Sequence, residues 1–118
     1  MKKGVWNRMT QAIQKELNII KESVLKTVPA EAIYLFGSHA YGTPHKDSDL
    51  DIYVVIPDTI QENPLNVGAE ILYDVCRKIQ APVDVLVGKR SVFDRRKEWA
   101  ATIQHEVAAK GELFYGYA

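Results

Sequence analysis

The chain has 118 residues, 47% of them hydrophobic and 25% charged, a composition ordinary for one soluble globular domain with apolar material enough for a real core. Lys plus Arg and Asp plus Glu number 15 each, so the formal net charge is zero and no global field draws the chain to nucleic acid or to a membrane surface. A single cysteine, Cys76, excludes an intrachain disulfide framework, no apolar run approaches the roughly 20 residues a bilayer span needs, and the basic start lacks the apolar core of a signal peptide, so a cytoplasmic protein is expected.

Over residues 7–26, Met9, Ile13, Leu17, Ile20 and Val24 recur at the spacing of one helical stripe, with Gln11, Lys15, Glu16 and Glu22 outside it. Pro29 ends this helix, which reads as scaffold and carries no catalytic group. Residues 32–36 are apolar throughout and read as a short buried strand that stops at Gly37-Ser38. Residues 38–41 are expected to make one or two helical turns. The loop that follows holds the breakers Gly42 and Pro44. His39, His45 and Lys46 fall in or beside it. With only His105 besides and no cysteine cluster, the histidines do not make a zinc site, and each reads as a solvent or phosphate contact, as Lys46 does. Asp47 reads as a turn or capping residue.

Ser48-Asp49-Leu50-Asp51 opens a second strand over 50–56. Side chains alternate across a strand, so Asp49 and Asp51 share one face while Leu50, Ile52, Val54 and Ile56 point the other way, into a core. After a polar connection, Asn63 reads as an N-cap with Pro64 at the first helical position. That helix is expected to run to about residue 79, burying Val67, Ile71, Val75 and Ile79, with Leu72 and Cys76 widening the stripe. Cys76 is therefore expected in the core. Pro82 stops the helix, and a valine-rich strand follows over 83–87, with Asp84 on the face opposite Val83, Val85 and Val87. Gly88 is expected to turn the chain.

Lys89, Arg90, Arg95, Arg96 and Lys97 form the densest basic cluster. It reads as a triphosphate neutraliser, a partner contact or a solvated helix face, with the last preferred for any single residue. Trp99, Ile103 and Val107 recur every four residues and predict a core-facing helix with Gly111 as its C-cap. A short edge strand is expected over 112–115. No repeat, low-complexity stretch or linker divides the sequence, so residues 1–118 are expected to form one domain of α/β class, a small mixed sheet with helices packed on it.

The chemistry concentrates at the acids. Two carboxylates about 4 Å apart repel by roughly 4 kcal/mol at an effective dielectric near 20, so one must protonate or a cation must bind. Hard oxygens on a rigid strand suit Mg²⁺, which shares its coordination with water and substrate phosphates. Gly37 lets the backbone approach a ligand, and the turn after it aims N–H groups at an anion. Metal carboxylates facing an anion cradle are the constellation expected for phosphoryl or nucleotidyl transfer. Asp84 taken alone reads equally well as a strand-end acid paired to a cation; beside Asp49 and Asp51 the metal reading prevails.

Gly37, Ser38, Ala40, Gly42, Ser48, Asp49 and Asp51 spell Gly-Ser-X-Ala-X-Gly, a short loop, then Ser-Asp-X-Asp. This pattern resembles the signature of the DNA polymerase β-type nucleotidyltransferases, and most closely their small stand-alone branch, the minimal nucleotidyltransferases. Asp84 matches the third acid of the family, and the ending with Glu106, Lys110-Gly111 and Leu113-Phe114-Tyr115 is similar too. Many members carry arginine where this chain has His39 and Tyr41. The resemblance implies the polymerase β-like core, an α+β arrangement, and two-metal nucleotidyl transfer. Asp49 and Asp51 would bridge two Mg²⁺ ions. Asp84 would complete the second metal site and help deprotonate the acceptor hydroxyl. Gly37 and Ser38 would grip the phosphates, with Ser48 and Lys46 as further nucleotide contacts. It implies ATP as donor, AMP as the group moved, and a small helical HEPN-type toxin as acceptor, silenced by the modification. Two alternatives stand beside this: an antitoxin-like subunit that only masks its partner, and transfer to an aminoglycoside-like small molecule, which normally involves a second substrate domain.

Overall fold

The computed structural model describes residues 11–42 and 49–118. Helix α1 spans Gln11–Thr27, strand β1 Ala32–Phe36, and the short helix α2 Ser38–Tyr41. Strand β2 covers Leu50–Ile56, helix α3 Pro64–Cys76, and strand β3 Val83–Lys89. Helix α4 is Arg90–Arg96, helix α5 Ile103–Lys110, and strand β4 Glu112–Gly116. The strands form one mixed sheet in the order β3-β2-β1-β4. β1 is antiparallel to both β2 and β4, while β2 and β3 run parallel. A parallel neighbour needs a crossover, and α3 supplies it.

One face of the sheet carries α1 and α3. Leu50, Ile52, Val54 and Ile56 meet Leu17, Ile20, Val24, Val67, Ile71 and Val75 there, all but wholly buried. Leu17, Ile20 and Val24 are the stripe predicted for α1, whereas Met9 lies outside the described residues. Asn63 Oδ1 accepts the Leu65 N–H at 2.9 Å and Pro64 takes the first turn of α3, the expected capping arrangement. Gly68 brings α3 close to β3: a Cβ there would stand 3.3 Å from Val87 Cγ2.

The opposite face is also a core, which the alternation of β2 did not announce. Tyr53 and Val55 of β2 join Ala32, Tyr34 and Phe36 of β1 beneath Phe93 and Val107 of α4 and α5. Phe93 stacks on Tyr34 with ring centroids 5.6 Å apart and tilts against Tyr53 at 5.3 Å. Asp51 therefore sits at the open end of a strand that is buried on both sides.

Several expectations are corrected here. Cys76 is exposed, because α3 turns Val67, Gly68, Ile71 and Val75 inward and leaves the thiol outside that arc. Helix α3 ends at Cys76, although Ile79 is still buried beyond it. Gly88 lies inside β3 rather than at a turn, and a Cβ there would come 2.2 Å from the Tyr53 hydroxyl oxygen. The glycine makes room for a tyrosine of the adjacent strand. Trp99 and Ile103 are 54% and 37% exposed, and of the predicted stripe only Val107 is core. Thr102 caps α5 by accepting the His105 N–H at 3.1 Å, so Trp99 precedes the helix and the spacing of four has no helical meaning there.

Candidate functional site

The parallel pairing of β2 and β3 sets Asp51 opposite Asp84, and neighbouring strands stand roughly 4.8 Å apart. The Leu50 N–H donates to the Pro82 carbonyl at 2.9 Å, which clips the entrances of the two strands together. Asp49 lies one residue before β2 and is exposed, as is Asp84; Asp51 is half-buried. Asp84 escapes the burial cost expected of an acid in a valine strand because β3 is an edge strand, and Asp84 and Leu86 share its uncovered face. Burial first, then the charges of Asp84 and Asp49, push the Asp51 carboxyl above the ordinary carboxylate range. His39 opposes that push and Glu106 adds to it, so α2 and α5 both reach this carboxylate electrostatically.

On its other side Asp51 meets Gly37. Phe36 pairs with Asp51 across the antiparallel ladder, and Gly37 follows with φ 75 and ψ −163. This is a backbone conformation that side chains disfavour. A Cβ at Gly37 would lie only 2.2 Å from Asp51 Oδ2. The glycine thus serves the carboxylate as well as any ligand. Its carbonyl accepts the N–H groups of Ala40 and Tyr41, each at 3.1 Å, which starts α2 with Ser38 at its first position.

The Tyr41 hydroxyl donates to Glu106 Oε2 at 2.7 Å. Burial, followed by this bond, pushes the phenol up to about 12, so it remains a donor at neutral pH. Sequence reasoning assigned Glu106 no part in the site. Its partner stands 65 positions away, and an acid on a helix gives no sign of that.

Ser48 and Lys46, read as nucleotide contacts, lie outside the described residues, as do His45 and Asp47. Two residues of the basic cluster are engaged away from the site's acids. Arg90 Nε donates to Glu31 Oε1 at 2.9 Å and a second guanidinium nitrogen donates to the Tyr117 carbonyl at 3.0 Å. Lys97 pairs with Asp94 at 3.2 Å, while Arg95 and Arg96 face solvent. His105 is held by the Lys97 carbonyl at 2.8 Å.

The donor set tests whether a metal fits. Asp49, Asp51 and Asp84 are hard oxygen donors, and the charges of Asp84 and Asp49 add to the burial that raises the Asp51 carboxyl. Among the described residues no group of three or more Asp, Glu, His or Cys side chains is placed to hold a metal ion. An open set of carboxylates fits Mg²⁺, which takes one or two carboxylates and leaves the remaining positions to water and phosphate.

An acid pair in register beside a glycine-started turn, on a four-stranded mixed sheet, defines a nucleotidyltransferase fold. The profile described as Polymerase beta, Nucleotidyltransferase matches residues 18–117, and the chain belongs to that family, in its minimal nucleotidyltransferase branch. Among curated proteins it is 39% identical over 103 residues to protein adenylyltransferase MntA of Shewanella oneidensis. That match takes in 86% of this chain but only 63% of the relative's length. Among solved structures, a toxin-antitoxin with AMP-PNP superposes with a TM-score of 0.61 at 28% identity, over 86% of this chain and 73% of the other. A mutant of the toxin-antitoxin MntA-HpeT gives 0.60 at 26% identity, over the same shares. A putative nucleotidyltransferase from Sulfolobus solfataricus gives 0.53 at 26% identity, covering 92% of this chain and 90% of that one.

Proposed function

We propose that this chain is a single-domain, metal-dependent nucleotidyltransferase of the cytoplasm that moves AMP from ATP to a hydroxyl on a partner protein, a small helical toxin of HEPN type. The observation that carries the reading is the carboxylate cluster itself: Asp51 set against Asp84 in register, Asp49 beside it, and Gly37 pressed on the Asp51 carboxylate. A chain that only masked its partner would gain nothing from such concentrated repulsion. The acceptor class is supported by a relative named as a protein adenylyltransferase and by neighbours solved as toxin-antitoxin complexes. The location is supported by the described residues, where no helix is long and apolar enough to cross a membrane.

Asp49, Asp51 and Asp84 would hold the metal, and Gly37 and Ser38, with Ser48 and Lys46, would hold the phosphates. Two bound Mg²⁺ ions supply neutralisation of the charge that develops at the α-phosphate and on the departing pyrophosphate. Asp84, exposed at the sheet edge, takes the proton of the acceptor hydroxyl. The new bond joins the acceptor oxygen to the α-phosphorus, and the bond from that phosphorus to the bridging oxygen breaks, releasing pyrophosphate.

The test is incubation of the chain with ATP labelled at the α-phosphate, Mg²⁺ and lysate of the native host. A labelled protein, carrying one added AMP by mass spectrometry and absent with Asp49→Asn, is the expected result. Label confined to a small molecule overturns the protein acceptor. A chain that protects the host from its partner equally well with Asp49, Asp51 and Asp84 all changed to Asn would be acting by masking alone.

A further inference from the structure

We propose that Lys110, standing over the ring of Tyr41, is a binding residue for the polyphosphate of the nucleotide donor. The proposal rests on the reading of Gly37 and Ser38 as the phosphate end of a triphosphate site. Its own support comes from α5. Glu106 and Lys110 are four residues apart on that helix and so share a face. Tyr41 receives both: its hydroxyl bonds Glu106 at 2.7 Å, and Lys110 Nζ lies 5.8 Å from its ring centroid. That distance is within the roughly 6 Å range of a cation–π contact. The Tyr41 amide is bonded to the Gly37 carbonyl at 3.1 Å. The ammonium is thereby brought beside the single helical turn that begins at Ser38.

A lysine in the last turn of a helix is favoured by the helix dipole without any ligand. Two features set this one apart. The ion pairs found among the described residues engage Lys26, Lys78, Arg90 and Lys97 and leave Lys110 out. The site it adjoins is dominated by acids, since Asp49, Asp84 and Glu106 all act on Asp51, with His39 the opposing group. A polyphosphate entering there meets repulsion unless a cation stands on its far side from the metal carboxylates. Lys110 is exposed, so its ammonium keeps its hydration until an anion arrives, and a compact charge on a flexible stem suits a phosphate chain. The bond from Tyr41 to Glu106 acts as the positioning element, because it fixes the ring under the ammonium.

Calorimetric titration of the whole chain with ATP and Mg²⁺, with inorganic tripolyphosphate and with adenosine tests this. Lys110→Met keeps the stem and removes the charge. It should weaken ATP and tripolyphosphate about 10- to 100-fold, the worth of one charge-assisted hydrogen bond, and leave adenosine unchanged. Lys110→Arg should restore most of the loss. Tyr41→Phe, which keeps the ring but not the bond to Glu106, should give a smaller loss of the same kind. Parent-like ATP affinity in Lys110→Met overturns the proposal while leaving the nucleotide site standing. An equal loss for adenosine overturns it as well. If the parent chain binds neither ATP nor tripolyphosphate, the nucleotide site fails and the role of Lys110 falls with it.

Discussion

Gly37→Ala tests the closest approach in the site. The backbone there has φ 75 and ψ −163, a region essentially confined to glycine, and placing an L side chain in it costs about 1–3 kcal/mol. The new Cβ would also lie 2.2 Å from Asp51 Oδ2, 3.2 Å from Cγ and 3.5 Å from Cβ. The first forces a shift, the second is tight by a few tenths of an ångström, and the third is ordinary contact. Rotation of the carboxylate therefore relieves the clash, and the pairing of β1 with β2 survives. An off-rotamer side chain costs about 0.5–1.5 kcal/mol, so the whole penalty is about 1.5–4.5 kcal/mol. At roughly 4 °C per kcal/mol, the melting temperature should fall by about 6–18 °C. Urea denaturation of Gly37→Ala, alone and combined with Asp51→Ala, separates the two parts. Without Oδ2 and Cγ only the backbone cost remains, so the pair should show a coupling of about 0.5–1.5 kcal/mol. Transfer should be lost in Gly37→Ala even where the protein is fully folded, because the carboxylate has left its place. Equal destabilisation in both backgrounds, or parental activity in the single variant, would refute the argument.

Asp51 also predicts a pH dependence. Its carboxyl is raised in the folded state, so the native chain holds the proton more tightly than the unfolded chain, and stability falls as pH rises from the ordinary value near 4 through the raised one. Asp51→Asn should remove that fall, making the metal-free variant the more stable at pH 7 and no more stable than the parent below about pH 4; identical urea midpoints at pH 7 would count against it. Asp84→Asn, on an exposed edge position, should leave the melting temperature close to the parent's while transfer is abolished, and persistence of transfer would remove Asp84 from the chemistry. ATP with Mg²⁺ at about 100 times its Kd should stabilise the chain by roughly 2.7 kcal/mol, more than either component alone in the same melting assay. Phe93→Ala, which empties the centre of the second core, should cost about 3–5 kcal/mol, measured by denaturation midpoint; a cost below 1 kcal/mol would mean that this face is not a packed core.

Much of the candidate site was legible because its residues are close together in sequence. Gly37, Ser38, Asp49 and Asp51 fall within a few positions of two strand ends, and a strand's period alone places two acids on a common face. Asp84 stood out because aspartate is disfavoured in a strand of valines. Glu106 and Lys110 gave no comparable signal. Both contact Tyr41, which belongs to another element and meets them only in the folded chain. Within the basic cluster Arg95 and Arg96 are exposed on their helix, as the preferred reading expected, whereas Arg90 belongs with Glu31 and the Tyr117 carbonyl, partners that no local pattern connects to it.

By itself the sequence determined most of the local elements, though not α4 over Arg90–Arg96, and one of the two cores. Bounds for β1, α2 and β2, the cap at Asn63 and the inward stripe of α1 all follow from short-range sterics, periodicity and unsatisfied backbone groups, which act over a few residues. The tertiary structure alone decided the rest. It buried β2 on both faces by laying Phe93 and Val107 over Tyr53 and Val55. It used Gly88 to admit a tyrosine and left Cys76, Trp99 and Ile103 outside the core. It brought Asp84 into register with Asp51 and drew Tyr41 onto Glu106. These outcomes depend on which surfaces meet when the sheet is assembled, and that choice is made by long-range packing rather than by the preferences of any one segment.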